Sequence, residues 1–346
     1  MHFHTVIAGA GPAGLACARI LAEHGLQPLV IERHETIGAK VCAGGITWGG
    51  LISKVPQDLA EKSFPVQHIT TRFQKVRIEE PAPIIATVNR VKLGNYMAHQ
   101  ALAAGTRIMT GWQVRGIGAQ KLIIEQKESR KQQEITFNYL VGADGSSSLV
   151  RRHLGISSNR MGIGINYQTK GELQKMEWHL NTHFFRNGYG WIFPHRDTVS
   201  IGAYIPKLRK TVMSAQDLKK GLLSWAGTLG FSLEKEQARA EYINYDYQGW
   251  RFGRTFLIGD AAGLASGLTG EGIYPAIISG EETGRTIIDP DHSPAVMEGL
   301  IRKHSLHSRM TDWTSSSPTF NILAGELMTL GLRYGIIKFS KLEMAI

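Results

Sequence analysis

Gly9-Ala10-Gly11-Pro12-Ala13-Gly14 places three glycines in the spacing G-x-G-x-x-G. That spacing suits phosphate chemistry. The first glycine permits a tight turn, the second lets a pyrophosphate approach the backbone, and the third lets a helix pack closely on a strand. Unpaired N–H groups at the start of a helix beginning with Pro12 and Ala13 then face the anion. Glu32 lies 23 residues after Gly9, with Arg33 beside it. A carboxylate there can accept hydrogen bonds from the hydroxyls of an adenosine ribose. Glycines also serve ordinary turns, so the strand before the motif and the helix after it carry the dinucleotide reading.

A second motif separates nicotinamide from flavin dinucleotides. Gly259-Asp260-Ala261-Ala262-Gly263 follows an apolar run, which places Asp260 beside a turn of small residues. Its carboxylate can bind the ribityl hydroxyls that a flavin has and NAD lacks; the alternative is a helix N-cap aspartate. Gly270-Glu271-Gly272 precedes an apolar helix starting near Ile273. Its N–H groups are suited to the pyrimidine edge of an isoalloxazine, where they would stabilise charge on the reduced ring. The cofactor expected is FAD, bound non-covalently.

Two further groups could do chemistry. Cys42 sits in a Gly-rich loop, either as a proton donor or positioning group near the flavin or as an inert buried thiol. Cys17, between Ala16 and Ala18, reads as a small hydrophobe. Tyr189, Trp191 and Phe193 alternate along a strand and project from one face. They could form a wall for an extended apolar substrate or pack an ordinary core. The 13 histidines show no ligand spacing, so no metal is expected, and there is no Gly-x-Ser-x-Gly elbow.

The elements that must position these residues follow from periodicity. His4–Ala8, Pro12–His24 and Pro28–Glu32 read as strand, helix and strand, the opening of a parallel βαβ unit. Strands are expected at 68–78, 84–90, 121–126 and 134–141, with a helix at 91–104. Residues 161–169, 177–185, 189–193 and 198–205 read as an antiparallel meander. A helix at 215–229, a buried strand at 255–258, a helix at about 272–288 and helices beyond Pro290 complete the chain. The expected class is α/β: a Rossmann-like FAD-binding domain from discontinuous segments (1–67, 91–155 and 245–290). An inserted antiparallel β-sheet substrate domain (68–90 and 156–244) and a helical C-terminal region (291–346) accompany it.

Bulk properties narrow the class. Apolar content of 42% and charged content of 20% are those of a globular chain. Two cysteines exclude a disulfide framework and a four-thiolate metal site and suit a reducing compartment. No basic n-region precedes the Gly-interrupted start, and no apolar run reaches the ~18–20 residues of a membrane span. A cytoplasmic location, soluble or peripheral at a membrane, is expected. The net charge of +10 is either attraction to an anionic surface or a solvated basic face. The basic residues lack the interleaved aromatics of a nucleic-acid groove. The tail from Phe320 reads as a core-covering helix, with a basic amphipathic membrane helix as the alternative.

With these motifs in this order, the chain resembles the flavoprotein superfamily of p-hydroxybenzoate hydroxylase and, more narrowly, the geranylgeranyl reductase family. Lys40-Val41-Cys42-Ala43-Gly44-Gly45 is similar to that family's Lys-x-Cys-Gly-Gly loop, with Ala43 where glycine is usual. Tyr189-Gly190-Trp191-Ile192-Phe193-Pro194 resembles its Tyr-x-Trp-x-Phe-Pro motif, and residues 259–263 with 269–274 its long flavin motif. Asp144, in Gly142-Ala143-Asp144-Gly145, resembles the superfamily's Asp-Gly motif. Arg90 resembles an arginine near the FAD phosphates, with Gly94 where an aspartate is usual. The resemblance implies FAD contacts at Gly9, Gly11, Pro12, Ala13, Gly14, Glu32, Arg33, Lys40, Cys42, Arg90, Asp144, Gly259, Asp260, Gly270, Gly272 and Ile273. It makes Cys42, Tyr189 and Trp191 the catalytic candidates. It also implies reduction of carbon–carbon double bonds in a prenyl lipid or other isoprenoid, with NADPH or ferredoxin as electron donor. The rivals are an aromatic monooxygenase or halogenase, and a flavin-bound carrier without turnover.

Overall fold

The strand His2–Ala8 has Val6, Ile7 and Ala8 buried because helices and loops cover both its faces. In the computed structural model, which describes residues 1–40, 42–207, 213–315 and 317–345, it pairs in parallel with Leu29–Ile31 and with Gln132–Gly142. The sheet runs in the order Arg251–Phe252, Thr255–Leu257, Gln132–Gly142, His2–Ala8, Leu29–Ile31, Arg107–Met109. The antiparallel strands Lys121–Gln126 and Trp112–Gly118 extend from Gln132–Gly142. Strands distant in sequence thus lie side by side, and the Gly9, Gly142 and Gly259 turns open at adjacent strand ends. In a parallel α/β sheet that edge is where ligands bind.

Helix Pro12–Glu23 lies against helix Ile273–Ile288. Their approach explains a small-residue pattern: a Cβ on Gly280 would stand 2.2 Å from the Ala13 carbonyl oxygen. Helix Arg90–Ala103 packs on the other side of Pro12–Glu23, capped by Asn89, whose side chain accepts from the N–H groups of Val91 and Lys92.

A second sheet has the order Arg239–Asn244, Met161–Lys170, Thr198–Lys207, Tyr189–Pro194, Met176–His179, Val66–Thr70, Lys75–Glu79. It differs from the expected meander in two respects. Met161–Lys170 pairs with Thr198–Lys207 over ten residues instead of with its neighbour in sequence. Two strands of matched length satisfy more backbone groups than the four-residue strand Met176–His179 could offer. The expected strand 177–185 also ends early, because the Asn181 side chain accepts from the His183 N–H and starts the short helix Thr182–Phe185. Expected strand 68–78 is a hairpin, Val66–Thr70 and Lys75–Glu79. Ile85–Val88 belongs to a third, small sheet with Gly45–Thr47 and Ala60–Phe64.

Helix Ala215–Thr228 covers one face of the seven-stranded sheet through Leu218, Leu222 and Trp225. Helix Pro318–Arg333 reaches the other face through Leu332, packed in one cluster with Trp191, Phe193 and Tyr204. Helix Ala295–Thr314 joins the first core, where Met297 and Leu300 are buried beside Met344 of the C-terminal tail. No helix among the described residues is long and apolar enough to cross a membrane.

Candidate active site

The nucleotide turn is built from three glycines for three reasons. Gly9 has φ 106°, and a Cβ there would lie 2.3 Å from the Ala143 carbonyl oxygen. At Gly14 a Cβ would lie 2.0 Å from the Gly9 carbonyl oxygen, which fixes how closely helix Pro12–Glu23 meets its strand. Gly11 is different. Its φ of −75° and ψ of 177° suit any residue, and beyond its two chain neighbours no heavy atom lies within 4 Å of where its Cβ would be. The protein itself gives no reason for glycine at 11; a pyrophosphate brought against that backbone would. The helix behind it begins with no side-chain cap and no acidic residue in its first turn, which leaves its N–H groups and dipole for an anion.

Glu32 accepts from the Ala10 N–H at 2.8 Å and the His34 N–H at 2.9 Å, one on each oxygen. Each oxygen keeps a lone pair for a ribose hydroxyl. Arg33 is exposed, with Nε 3.1 Å from His34 Nε2.

Arg90 begins its helix beside the loop that carries Lys40, and its Nε and Nη1 are buried without a hydrogen-bond partner. Buried guanidinium donors are seldom orphaned. Gly94 follows from the same packing: a Cβ there would stand 2.7 Å from the Gly38 Cα, so no side chain fits. Asp144 uses Oδ2 to accept from the Leu149 N–H at 2.6 Å and the Val150 N–H at 3.3 Å. Its Oδ1 is buried and unpartnered, and burial raises its pKa.

Asp260 sits in a single turn, Gly259–Ala261, with Lys40 Nζ at 2.6 Å and Ser146 Oγ at 3.2 Å from Oδ2. Burial opposes the charge on Lys40, but the Asp260 carboxylate outweighs it and raises the lysine pKa. A Cβ on Gly272 would lie 3.2 Å from Asp260 Oδ1, so the two flavin motifs meet there. Gly259 and Gly270 both take positive φ, 55° and 69°. Ile273 is buried in a cluster with Ile46, against which Cys42 packs. Unpartnered buried Arg90 and Asp144 atoms, the open space over Gly11 and the Lys40–Asp260 pair together suit a diphosphate-bearing, polyhydroxylated cofactor.

The second sheet closes over this edge. Tyr189 donates to the Thr269 carbonyl at 2.5 Å, and burial keeps its phenol neutral by raising its pKa far above the usual value. Trp191 is 5% exposed and donates its indole N–H to Ser200 Oγ at 3.0 Å. Ser200 donates to Asn166 Oδ1 at 2.7 Å, and Asn166 donates to the Cys42 carbonyl at 3.4 Å. Trp178 joins the wall edge-on to Phe193, with ring centroids 4.7 Å apart. Cys42 Sγ accepts from the Gly44 N–H at 3.4 Å. Val41, within the same motif, lies outside the described residues.

Sequence reasoning missed His195 and Glu61. His195, next to the aromatic motif, has Nδ1 2.7 Å from Glu61 Oε2 and Nε2 2.9 Å from the Ala43 carbonyl. Both ring nitrogens of His195 are thus engaged, one by the Glu61 carboxylate and one by the Ala43 carbonyl. The pair and Asn166 pin two consecutive carbonyls of the Cys42 loop.

Glu271 is the other unread group. It accepts from the Met344 N–H at 2.8 Å and from Thr47 Oγ1 at 3.4 Å. Burial raises its pKa to about 7, with Glu343 adding to the rise and Lys303 opposing it. Burial likewise raises Glu343 to about 7. Folding therefore takes up protons at these carboxyls relative to an unfolded chain titrating near ~4.3. Their contribution to stability is full below that value and is lost as pH rises through 7. His304 and His307 are lowered to about 4 by burial, which makes stability rise with pH until their unfolded value of ~6.5 is passed. The FAD-free protein is thus expected to lose about 1 kcal/mol between pH 6.5 and 8, and Glu343→Gln to flatten that fall. Urea titrations across this window check both. Among the described residues, no group of three His, Cys, Asp or Glu could hold a metal ion.

Fold and site together define an FAD-dependent oxidoreductase. The FAD binding domain model matches residues 2–279, and the chain belongs to that family. It is 28% identical to digeranylgeranylglycerophospholipid reductase 2 of Methanosphaera stadtmanae, covering 83% of this chain and 79% of that protein. It is 23% identical to the chloroplastic geranylgeranyl diphosphate reductase of Oryza sativa, covering 92% and 73%. Among solved structures, a geranylgeranyl bacteriochlorophyll reductase-like protein of Thermoplasma acidophilum superposes with TM-score 0.75 at 20% identity, covering 98% of each chain. A flavin-dependent brominase superposes with TM-score 0.69 at 18% identity, covering 99% and 94%. These structural likenesses speak to the fold alone.

Proposed function

We propose that this protein saturates carbon–carbon double bonds of an isoprenoid chain of the geranylgeranyl type. The observation that carries the reading is the junction of the Tyr189–Phe193 wall with the Cys42 loop and the Thr269–Ile273 flavin loop. Named relatives with this activity support it. Reduced FAD, when bound, supplies a hydride to one alkene carbon and is left oxidised, to be reduced again by NADPH or a ferredoxin.

The chain's own residues do the rest. Gly11, Arg90 and the start of helix Pro12–Glu23 would hold the pyrophosphate, Glu32 the ribose, and Asp260 with Lys40 the ribityl chain. Tyr189, its proton committed to Thr269, fixes the flavin loop against the wall and presents an apolar ring. Trp191 acts through Ser200 and Asn166 to set the Cys42 loop. Cys42 would deliver the proton to the second alkene carbon, since its sulfur takes the Gly44 N–H while its own proton meets no acceptor among the described residues. Residues 1–67, 91–155 and 245–290 would then form the FAD unit, 68–90 and 156–244 the substrate unit.

The test is an anaerobic titration of the purified holoprotein. Its flavin spectrum should bleach on reduction and return when a geranylgeranyl lipid is added. A reduced flavin inert to every prenyl alkene yet reoxidised quickly by oxygen would replace this reading with an oxygenase or halogenase.

A further inference from the structure

Helix Pro318–Arg333 buries only Thr329, Gly331 and Leu332. Its outward side carries Phe320, Leu323, Leu327 and Leu330, continued by Tyr334 and Ile336, and all six are at least 39% exposed. At 100° per residue, positions 320, 323, 327, 330 and 334 fall within about a quarter of the helix circumference. This is a continuous apolar stripe, and a lone exposed leucine would need no explanation where a stripe does. The neighbouring hairpin adds Phe73, which is 73% exposed. Glu326 locks that hairpin to the helix, accepting from Thr71 Oγ1 at 2.8 Å, the Phe73 N–H at 3.1 Å and Gln74 Nε2 at 2.7 Å.

Charge decides the occupant. From Pro318 to Lys341 the charged residues are Glu326, Arg333, Lys338 and Lys341. The one acid is spent on the hairpin, while all three cations are exposed, and Arg72 is exposed beside Phe73. An apolar stripe fringed by cations suits an anionic lipid surface, where rings and leucines enter the acyl boundary and the cations meet headgroups. The opposite side of the same helix packs through Leu332 on the cluster containing Trp191 and Phe193. One helix therefore separates the lipid-facing stripe from the aromatic wall.

We propose that this face seats the protein on an anionic membrane, from which the prenyl-lipid substrate is drawn; the substrate half of that statement rests on the function proposed above. The test uses the FAD-loaded full chain, sedimented with phosphatidylcholine vesicles with or without phosphatidylglycerol. Wild-type protein should pellet with the anionic vesicles, more weakly with neutral ones. Leu323→Glu combined with Leu327→Glu should weaken binding by roughly 100-fold, about tenfold for each desolvated charge. Its flavin spectrum, melting temperature and turnover of detergent-dispersed prenyl substrate should stay at wild-type values.

Wild-type protein that ignores anionic vesicles, or a variant that binds them as well as wild type, overturns the proposal. A wild-type dimer that this variant dissociates also overturns it, because a second copy then covers the stripe. If vesicle binding follows the prediction while no prenyl alkene is reduced, the docking stands and the function proposed above falls.

Discussion

Gly11→Val is expected to leave the FAD-free protein folded and equally stable while weakening FAD binding at least ~100-fold. The two halves of that result have separate causes. A Cβ at position 11 meets no heavy atom within 4 Å beyond its two chain neighbours, and the backbone there is in a region that β-branched residues prefer. The folded chain therefore has nothing to object to. The space is empty only from the protein's side, however. It lies over the start of a helix whose first N–H groups have no intrahelical acceptor. Two methyl groups would hold a pyrophosphate away from those donors. Losing two hydrogen bonds to a charged group, at about 1.5–3 kcal/mol each, gives the expected factor. Melting curves of the apoprotein and fluorescence titration with FAD separate the outcomes. Gly14→Val makes the contrast: a Cβ 2.0 Å from the Gly9 carbonyl oxygen cannot be placed without moving the turn, so apoprotein stability should fall as well. If Gly11→Val binds FAD as wild type does, the pyrophosphate is not held at this turn.

The same contrast explains how much of the molecule could be read from its sequence. The turns at Gly9–Gly14 and Gly259–Gly263 were legible because their conformation is local: a turn, a helix start and a carboxylate set within a few residues. The one-sided projection of Tyr189, Trp191 and Phe193 was legible from alternation, and their rings do neighbour one another. What covers that wall was not. Trp178 arrives by antiparallel register with Trp191, and Leu332 comes from a helix more than a hundred residues further on.

The same holds at the site. Glu61 reaches His195 across 134 positions, and the Met344 N–H reaches Glu271 across 73. No spacing rule encodes those distances; they follow from strand order and from where a tail comes to rest. The 161–205 meander misread has the same source, since residues adjacent in sequence lost to a better-matched partner strand. Gly94 stood out as a departure from the flavoprotein pattern and turned out to be steric, because Gly38 leaves no room for a side chain.

Arg90→Met is expected to change apoprotein and holoprotein in opposite directions. In the FAD-free protein, Nε and Nη1 of Arg90 are buried without partners, which costs on the order of 1–3 kcal/mol for donors denied both water and protein acceptors. Methionine keeps an unbranched apolar stem and removes those donors, so the apoprotein should gain about 1 kcal/mol. Removing Arg90 also removes a like charge acting on Lys40. FAD binding should fall by roughly 100-fold or more, because a planar guanidinium offers a phosphate two directed, charge-assisted bonds that a thioether cannot replace. The FAD-induced rise in melting temperature should shrink accordingly, since a ligand stabilises only in proportion to the logarithm of its concentration over its dissociation constant. Arg90→Lys discriminates further: it restores the charge without the fork, and should recover only part of the affinity. A purely structural arginine gives the reverse pattern, with the apoprotein losing stability on substitution and FAD affinity following it down. An apoprotein that melts higher and binds FAD more weakly is the signature of a residue kept for its ligand against the preference of the fold.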